Sequence, residues 1–146
     1  MTTLDDAVGL AAAESGLAVV STVRADNTVQ ASLVNAGTFA HPVTGEPTLA
    51  FVTYGKVKLA NLRARLQIAV TFRDGWRWAT VEGAAELAGP DDPQPWLTGD
   101  ALRLMLRDVF TAAGGNHDDW AEYDRVMAEQ RRTVVLVAPS RVYSNG

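Results

Sequence analysis

Short β-branched runs separated by turn signals, with no helix between the early ones, constrain this chain more than any other feature. Leu17 to Arg24 and Thr28 to Phe39 flank Ala25-Asp26-Asn27, a turn with Asx chemistry, and so form a hairpin. In the second run Val29, Ala31 and Leu33 alternate with Gln30, Ser32 and Val34, which predicts one face in a core and the other partly polar. A Pro- and Gly-rich loop over 41–47, with His41 as a turn residue, leads to a third strand from Thr48 to Tyr54. Leu66 to Arg73 and Trp76 to Leu87 flank Asp74-Gly75, a strong hairpin signal. Gly83, inside that last run, reads as a bulge or a close backbone approach. Thr133 to Val137 is a final strand whose pairing Pro139 limits. A doubly wound α/β fold would need a crossover helix after nearly every strand. About six strands without such helices predict an antiparallel β-barrel.

Helical signals lie between and around these runs. Residues 4–14 are rich in alanine and leucine, with Asp5 and Asp6 in the first turn. Leu59, Leu62 and Leu66 recur at helical spacing, which predicts a short helix from Val57 to Arg65. Past the stiff acidic connection at 89–95, Asp100 to Thr111 is amphipathic, with Leu102, Met105, Leu106 and Val109 on one side. Asp118 is placed to cap a second helix running to about Glu129. The chain has 146 residues, 47% of them hydrophobic and 21% charged, which fits one folded domain over 1–146.

Several function classes have little material. There are no cysteines, so thiolate nucleophiles and cysteine-based metal sites are excluded, and only two histidines remain. His117 stands beside Asp118 and Asp119, but a helix cap explains those carboxylates better than a metal site. The net charge of −4 argues against nucleic-acid binding. The acidic N-terminus lacks the basic region of a signal peptide, and no apolar run is long enough to span a membrane, so the cytoplasm is the expected compartment. No nucleophile motif and no paired carboxylates support hydrolysis. A bound cofactor that carries the chemistry fits the residue inventory better.

One stretch breaks the acidic average. Between Glu46 and Asp74 there is no acidic residue, yet Lys56, Lys58, Arg63, Arg65 and Arg73 all fall there. Lys56 and Lys58 stand at the predicted start of the short helix, where unpaired N–H groups and the dipole already carry positive charge. A phosphate would turn that repulsion into attraction. Asn61 is one turn in and able to donate its amide, and Gly55 would let the backbone come close. A pair of solvated surface lysines is the competing reading, and the stretch alone does not choose between them. Trp76 and Trp78 point to one face if both lie in a strand, and form a wall for a planar ring or, on the competing reading, a barrel end or a dimer core.

The pattern Lys56-x-Lys58-x-x-Asn61-Leu62-Arg63, a strand, then Asp74-Gly75-Trp76-x-Trp78-x-x-x-Glu82-Gly83-x-Ala85 resembles the pyridoxamine-phosphate-oxidase-like split β-barrels. It is most similar to their actinobacterial branch, oxidoreductases that use the deazaflavin coenzyme F420. Asp118-Asp119-Trp120-x-x-Tyr123, Arg131-Arg132 and Arg141-Val142-Tyr143 continue the likeness, which runs from about Leu17 to Tyr143. The resemblance implies a six-stranded antiparallel split barrel with short flanking helices. It also implies a homodimer with cofactor sites at the interface, and hydride transfer from reduced F420 to a small, electron-poor unsaturated substrate. Lys56 and Lys58 would meet the cofactor phosphate, assisted by Asn61. Ser32, Val34, Asn35, Val52 and Thr53 would line its ring. Trp76 and Trp78 would be contributed by the hairpin, from the partner subunit. Lys56 replaces an arginine of some relatives, keeping the charge but not the bidentate fork. Trp78 replaces a tyrosine, removing a hydroxyl. The resemblance supplies no catalytic acid or base, and solvent, Thr53 and Tyr54 are the candidate proton donors. FMN on the same barrel, or F420 binding without turnover, are the alternatives.

Overall fold

The computed structural model describes residues 1–146. Helix α1 (Leu4–Leu10) opens with Thr3 as its cap, in a reciprocal capping box with Asp6, and a 3-10 turn (Ala12–Glu14) follows. The strands are β1 (Leu17–Val23), β2 (Val29–Ala40), β3 (Pro47–Thr53), β4 (Gln67–Asp74), β5 (Arg77–Ala88) and β6 (Thr133–Ser144). The other helices are α2 (Lys56–Ala64), between β3 and β4, and α3 (Ala101–Ala112) and α4 (Trp120–Glu129), between β5 and β6. All strand pairs are antiparallel and close a barrel in the order β1-β2-β3-β6-β5-β4. No helix is long and apolar enough to cross a membrane.

The barrel interior is one apolar core built on Val20, Phe51, Val70, Phe72, Val81 and Val135, and α1 packs against it through Ala7 and Ala11. A second core lies outside the barrel wall. There Met105, Leu106 and Val109 of α3 and Tyr123 and Met127 of α4 cover Ala50, Val134 and Leu136. The end of α3 sits so close to β2 that a Cβ on Gly37 would come within 2.2 Å of the Ala112 carbonyl oxygen.

Four local expectations are corrected. The last strand does not stop at Val137. Its register against β5 shifts at Glu82/Gly83, Pro139 falls opposite Gly83, and pairing resumes through Ser144. A bulge absorbs the proline's missing donor. The bulge needs Gly83, since a Cβ there would lie 2.0 Å from the Ala138 carbonyl oxygen. Trp76 is not in a strand. Asp74 pairs with Arg77, so Gly75 and Trp76 are the turn itself, and Trp76 is 94% exposed. The cap of α4 is Asp119 rather than Asp118, its side chain accepting from the Glu122 N–H at 3.1 Å.

The fourth correction concerns β2. Val34 and Ala36 face the core, whereas Val29 and Leu33 are 61% and 62% exposed. The more apolar set of the alternation therefore points outward. Leu33 pairs with exposed Val19, and Val29 with Val23, so an apolar strip runs along the outside of β1 and β2. The inward set keeps its polar groups because the interior partly satisfies them. Thr22 donates to Gln30 Oε1 at 3.3 Å, while the buried Ser32 hydroxyl has no partner.

Candidate functional site

Helix α2 begins at Lys56 without any side-chain cap and without an acid in its first turn. That absence leaves the positive end of its dipole uncompensated. Lys56 is exposed, but Lys58 is only 6% exposed. The Lys58 ammonium donates to Thr53 Oγ1 at 3.0 Å, and Lys58 forms no ion pair. Burial, then the nearby Arg132 charge, holds its pKa below the ordinary lysine value. A buried cation whose hydrogen-bond partner is a neutral hydroxyl is costly, and an anion relieves it. This separates Lys58 from a solvated surface lysine.

Arg132 is a second cation near Lys58, itself partly buried, and one to which the sequence patterns assigned no role. It follows α4 and precedes β6. Its guanidinium lies 3.8 Å from the centre of the Tyr54 ring, and its Nε donates to Gln130 Oε1 at 2.8 Å. It too forms no ion pair, and burial holds its pKa below the ordinary arginine value. Its neighbour Arg131 is different, being held by both oxygens of Asp91 at 3.1 and 2.5 Å. The basic pair after a helix was the available signal. Nothing in the sequence says which of the two arginines is neutralised.

The other cations of the basic stretch are spent elsewhere. Arg63 makes a two-pronged pair with Asp92 at 2.8 and 2.6 Å. Arg65 donates to the Val23 carbonyl at 2.7 Å, anchoring α2 to the barrel. Arg73 lies in the β4–β5 hairpin, paired across from Trp78. Asn61 turns inward, 6% exposed, and its amide donates to the buried Thr22 hydroxyl at 3.0 Å. It locks α2 onto β1 rather than facing an external anion. At Gly55 an added Cβ would meet nothing closer than 3.7 Å, so no close approach requires glycine there.

Beside Arg132 is a half-enclosed cavity of about 290 Å³. Its rim carries the exposed Ser15 and Asn35 and the partly buried Val52 and Arg132. Its floor is formed by the buried Val109, Ala113, Tyr123 and Met127 of the α3–α4 layer. Tyr123 presents its ring but not its hydroxyl, which donates to the Leu106 carbonyl at 2.8 Å, and burial pushes its pKa up to about 12. Phe110, His117 and Trp120 pack around Tyr123 at centroid distances of 5.0, 5.7 and 5.2 Å. His117 Nδ1 accepts from the Asp119 N–H at 3.0 Å, a turn-forming role like that of His41 toward Val43 at 3.1 Å.

The pleat divides the predicted ring-lining residues. Asn35 and Val52 reach the cavity. Val34 belongs to the barrel core, the Ser32 hydroxyl is buried, and Thr53 is occupied by Lys58. Trp76 and Trp78 are not brought to Lys58 within one chain. Thr133 pairs with Thr53 at one end of β6, while Ser144 pairs with Ala79 at the other. The length of the strand, roughly 30 Å or more, lies between them. Trp78 instead meets Tyr143 edge-on at 6.1 Å, and Tyr143 donates to Glu82.

No family model matches the chain. Solved structures do. A conserved hypothetical protein from Mycobacterium tuberculosis is similar at a TM-score of 0.65 and 18% identity, over 99% of this chain and 84% of that one. A protein described as an F420 reductase is similar at 0.64 and 16%, over 98% of each chain. A pyridoxamine 5′-phosphate oxidase-related, FMN-binding protein from Nostoc punctiforme is similar at 0.61 and 13%, over 99% and 85%. At these identities the likeness is one of fold. The chain has the split-barrel fold of pyridoxamine 5′-phosphate-oxidase-like proteins.

Proposed function

We propose that this chain is a cytoplasmic, homodimeric oxidoreductase that binds coenzyme F420 and reduces a small, electron-poor unsaturated substrate. The observation that carries the reading is Lys58, a buried ammonium with no counter-ion, at the uncapped start of α2. Lys56 and Lys58 would hold the cofactor phosphate, with the N–H groups of the first turn. Asn35 and Val52, which line the cavity, would meet the ring. Bound F420 in its reduced form supplies a hydride. The chain's own contribution is to anchor the phosphate, orient the ring and keep water from the apolar floor behind it. The Thr53 hydroxyl is buried against Lys58 and that of Tyr123 donates to Leu106, while the remaining hydroxyls nearby, Ser15 and Tyr54, belong to residues open to water. The proton is therefore assigned to solvent.

Dimerisation is supported by the apolar strip of Leu17, Val19, Val29 and Leu33 on the outer barrel face. In the proposed dimer the partner's Trp76–Trp78 hairpin would serve the site that the hairpin does not reach in its own chain. FMN is the second reading, and a specific observation favours keeping it. Arg63 and Arg65 are already paired, so little basic surface is left for an acidic cofactor tail, and a phosphate alone satisfies Lys56 and Lys58. Fluorescence titration of the cofactor-free protein with F420 and with FMN tests both. Saturable binding with tighter affinity for F420 supports the proposal, tighter binding of FMN transfers it to that cofactor, and binding of neither overturns it.

A further inference from the structure

We propose that the floor of the cavity under α3 and α4 takes a planar, apolar monocarboxylate, whose carboxylate is received by Arg132. This deepens the proposed function by naming a substrate class, and rests on it only for the ligand's being a substrate.

Three observations converge. The floor is apolar and aromatic, and the Tyr123 hydroxyl there is turned away into its bond with Leu106, which leaves Ser15 and Asn35 at the rim as the uncharged polar side chains of the lining. The floor offers a flat apolar ligand contact and no competing hydrogen bond. The cavity, at about 290 Å³, is the size of a ring with a short substituent, at the lower end of small-molecule sites. The sole charged side chain on its lining is Arg132, and that guanidinium is prepared for a carboxylate. Its plane is fixed against the Tyr54 ring. Its Nε is engaged by Gln130, while its two terminal amino groups have no partner. Two parallel N–H donors on a planar fork match the two oxygens of a carboxylate. A single cation also suits one negative charge better than the two of a phosphate monoester.

Lys58 and Arg132 thereby take different ligands, the lysine a cofactor phosphate and the arginine a substrate carboxylate. Burial depresses both cations, and the nearby Arg132 charge depresses Lys58 further, so neutralising both in one complex gains more than neutralising either.

The test uses the cofactor-free protein and calorimetric titration with trans-cinnamate and its uncharged amide. The acid should bind about 10- to 100-fold more tightly than the amide, the range of a charge-assisted hydrogen-bonded pair. Arg132→Met should remove that difference while leaving the amide's affinity and F420 binding within about threefold of wild type. Arg132→Lys should fall between, keeping charge without the fork. Equal affinity of acid and amide in the wild type, or no binding of either, overturns the inference and leaves the cofactor reading standing. Loss of F420 binding in Arg132→Met as large as in Lys58→Met also overturns it, by assigning Arg132 to the cofactor. Cinnamate binding as described with no F420 binding sustains the pocket and overturns the cofactor reading instead.

Discussion

Replacing Lys58 by methionine should separate stability from function. The methionine stem fills nearly the same space and removes only the ammonium. That ammonium donates to Thr53 Oγ1 at 3.0 Å, and the same oxygen also accepts from the Gly55 N–H at 3.4 Å. Thr53 therefore keeps a partner in the variant. Because burial depresses the lysine pKa, the charged form is held in the fold at a cost. The cofactor-free variant should be at least as stable as wild type, with a gain of up to about 1–4 kcal/mol on the scale seen when buried ions are replaced by apolar residues. Cofactor binding should move the other way. A hydrogen bond to a charged group is worth about 1.5–3 kcal/mol, so F420 should bind roughly 10- to 150-fold more weakly. Urea denaturation without cofactor and fluorescence titration with it measure the two effects on one preparation. A variant destabilised by more than about 1 kcal/mol, or one that binds F420 as wild type does, refutes the reasoning.

Lys58 also sets a pH dependence. Its pKa in the fold lies below the ordinary 10.5 it regains on unfolding, so above the folded value the unfolded chain binds more protons. The stability of the cofactor-free protein, taken as wild type minus Lys58→Met, should rise as pH climbs from the folded value toward 10.5; a fall in urea midpoints over that window would contradict the burial argument. Asn61→Ala should cost about 0.5–1.5 kcal/mol, because it removes one buried hydrogen bond while the Thr22 hydroxyl keeps Gln30 as its partner, yet leave F420 affinity within about twofold. A large affinity loss in correctly folded Asn61→Ala would return that residue to the cofactor. Gly83→Val should destabilise by at least about 3 kcal/mol through the clash with the Ala138 carbonyl, and a wild-type urea midpoint would show that the bulge relaxes freely.

The barrel was legible because strand runs, turn residues and a short amphipathic helix all agree locally, and Gly83 announced its bulge. Pro139 misled because a bulge beside it, opposite Gly83, absorbs the missing donor, and no pattern in β6 alone reveals its register against β5. The alternation of Val29, Ala31 and Leu33 was visible, but not its direction. Both faces of β2 carry apolar groups, and the barrel keeps the side that holds Val34 and Ala36 and whose Gln30 finds a partner in Thr22. At the site, the lysines were legible as charge at a helix start. The burial of Lys58 was not, nor was the loss of Asn61, Arg63 and Arg65 to internal partners. Those depend on residues 29 to 42 positions away, as does the difference between Arg131 and Arg132.

The central claim is that Lys56, Lys58 and the start of α2 form a site for the phosphate of a flavin-type cofactor. Equilibrium titration of the cofactor-free protein with F420, in parallel with the same deazaflavin ring and ribityl chain lacking the phosphate, tests it most directly. The account predicts saturable F420 binding and an affinity at least about tenfold lower for the phosphate-free form. Equal affinity for the two, or no binding of F420, would contradict it.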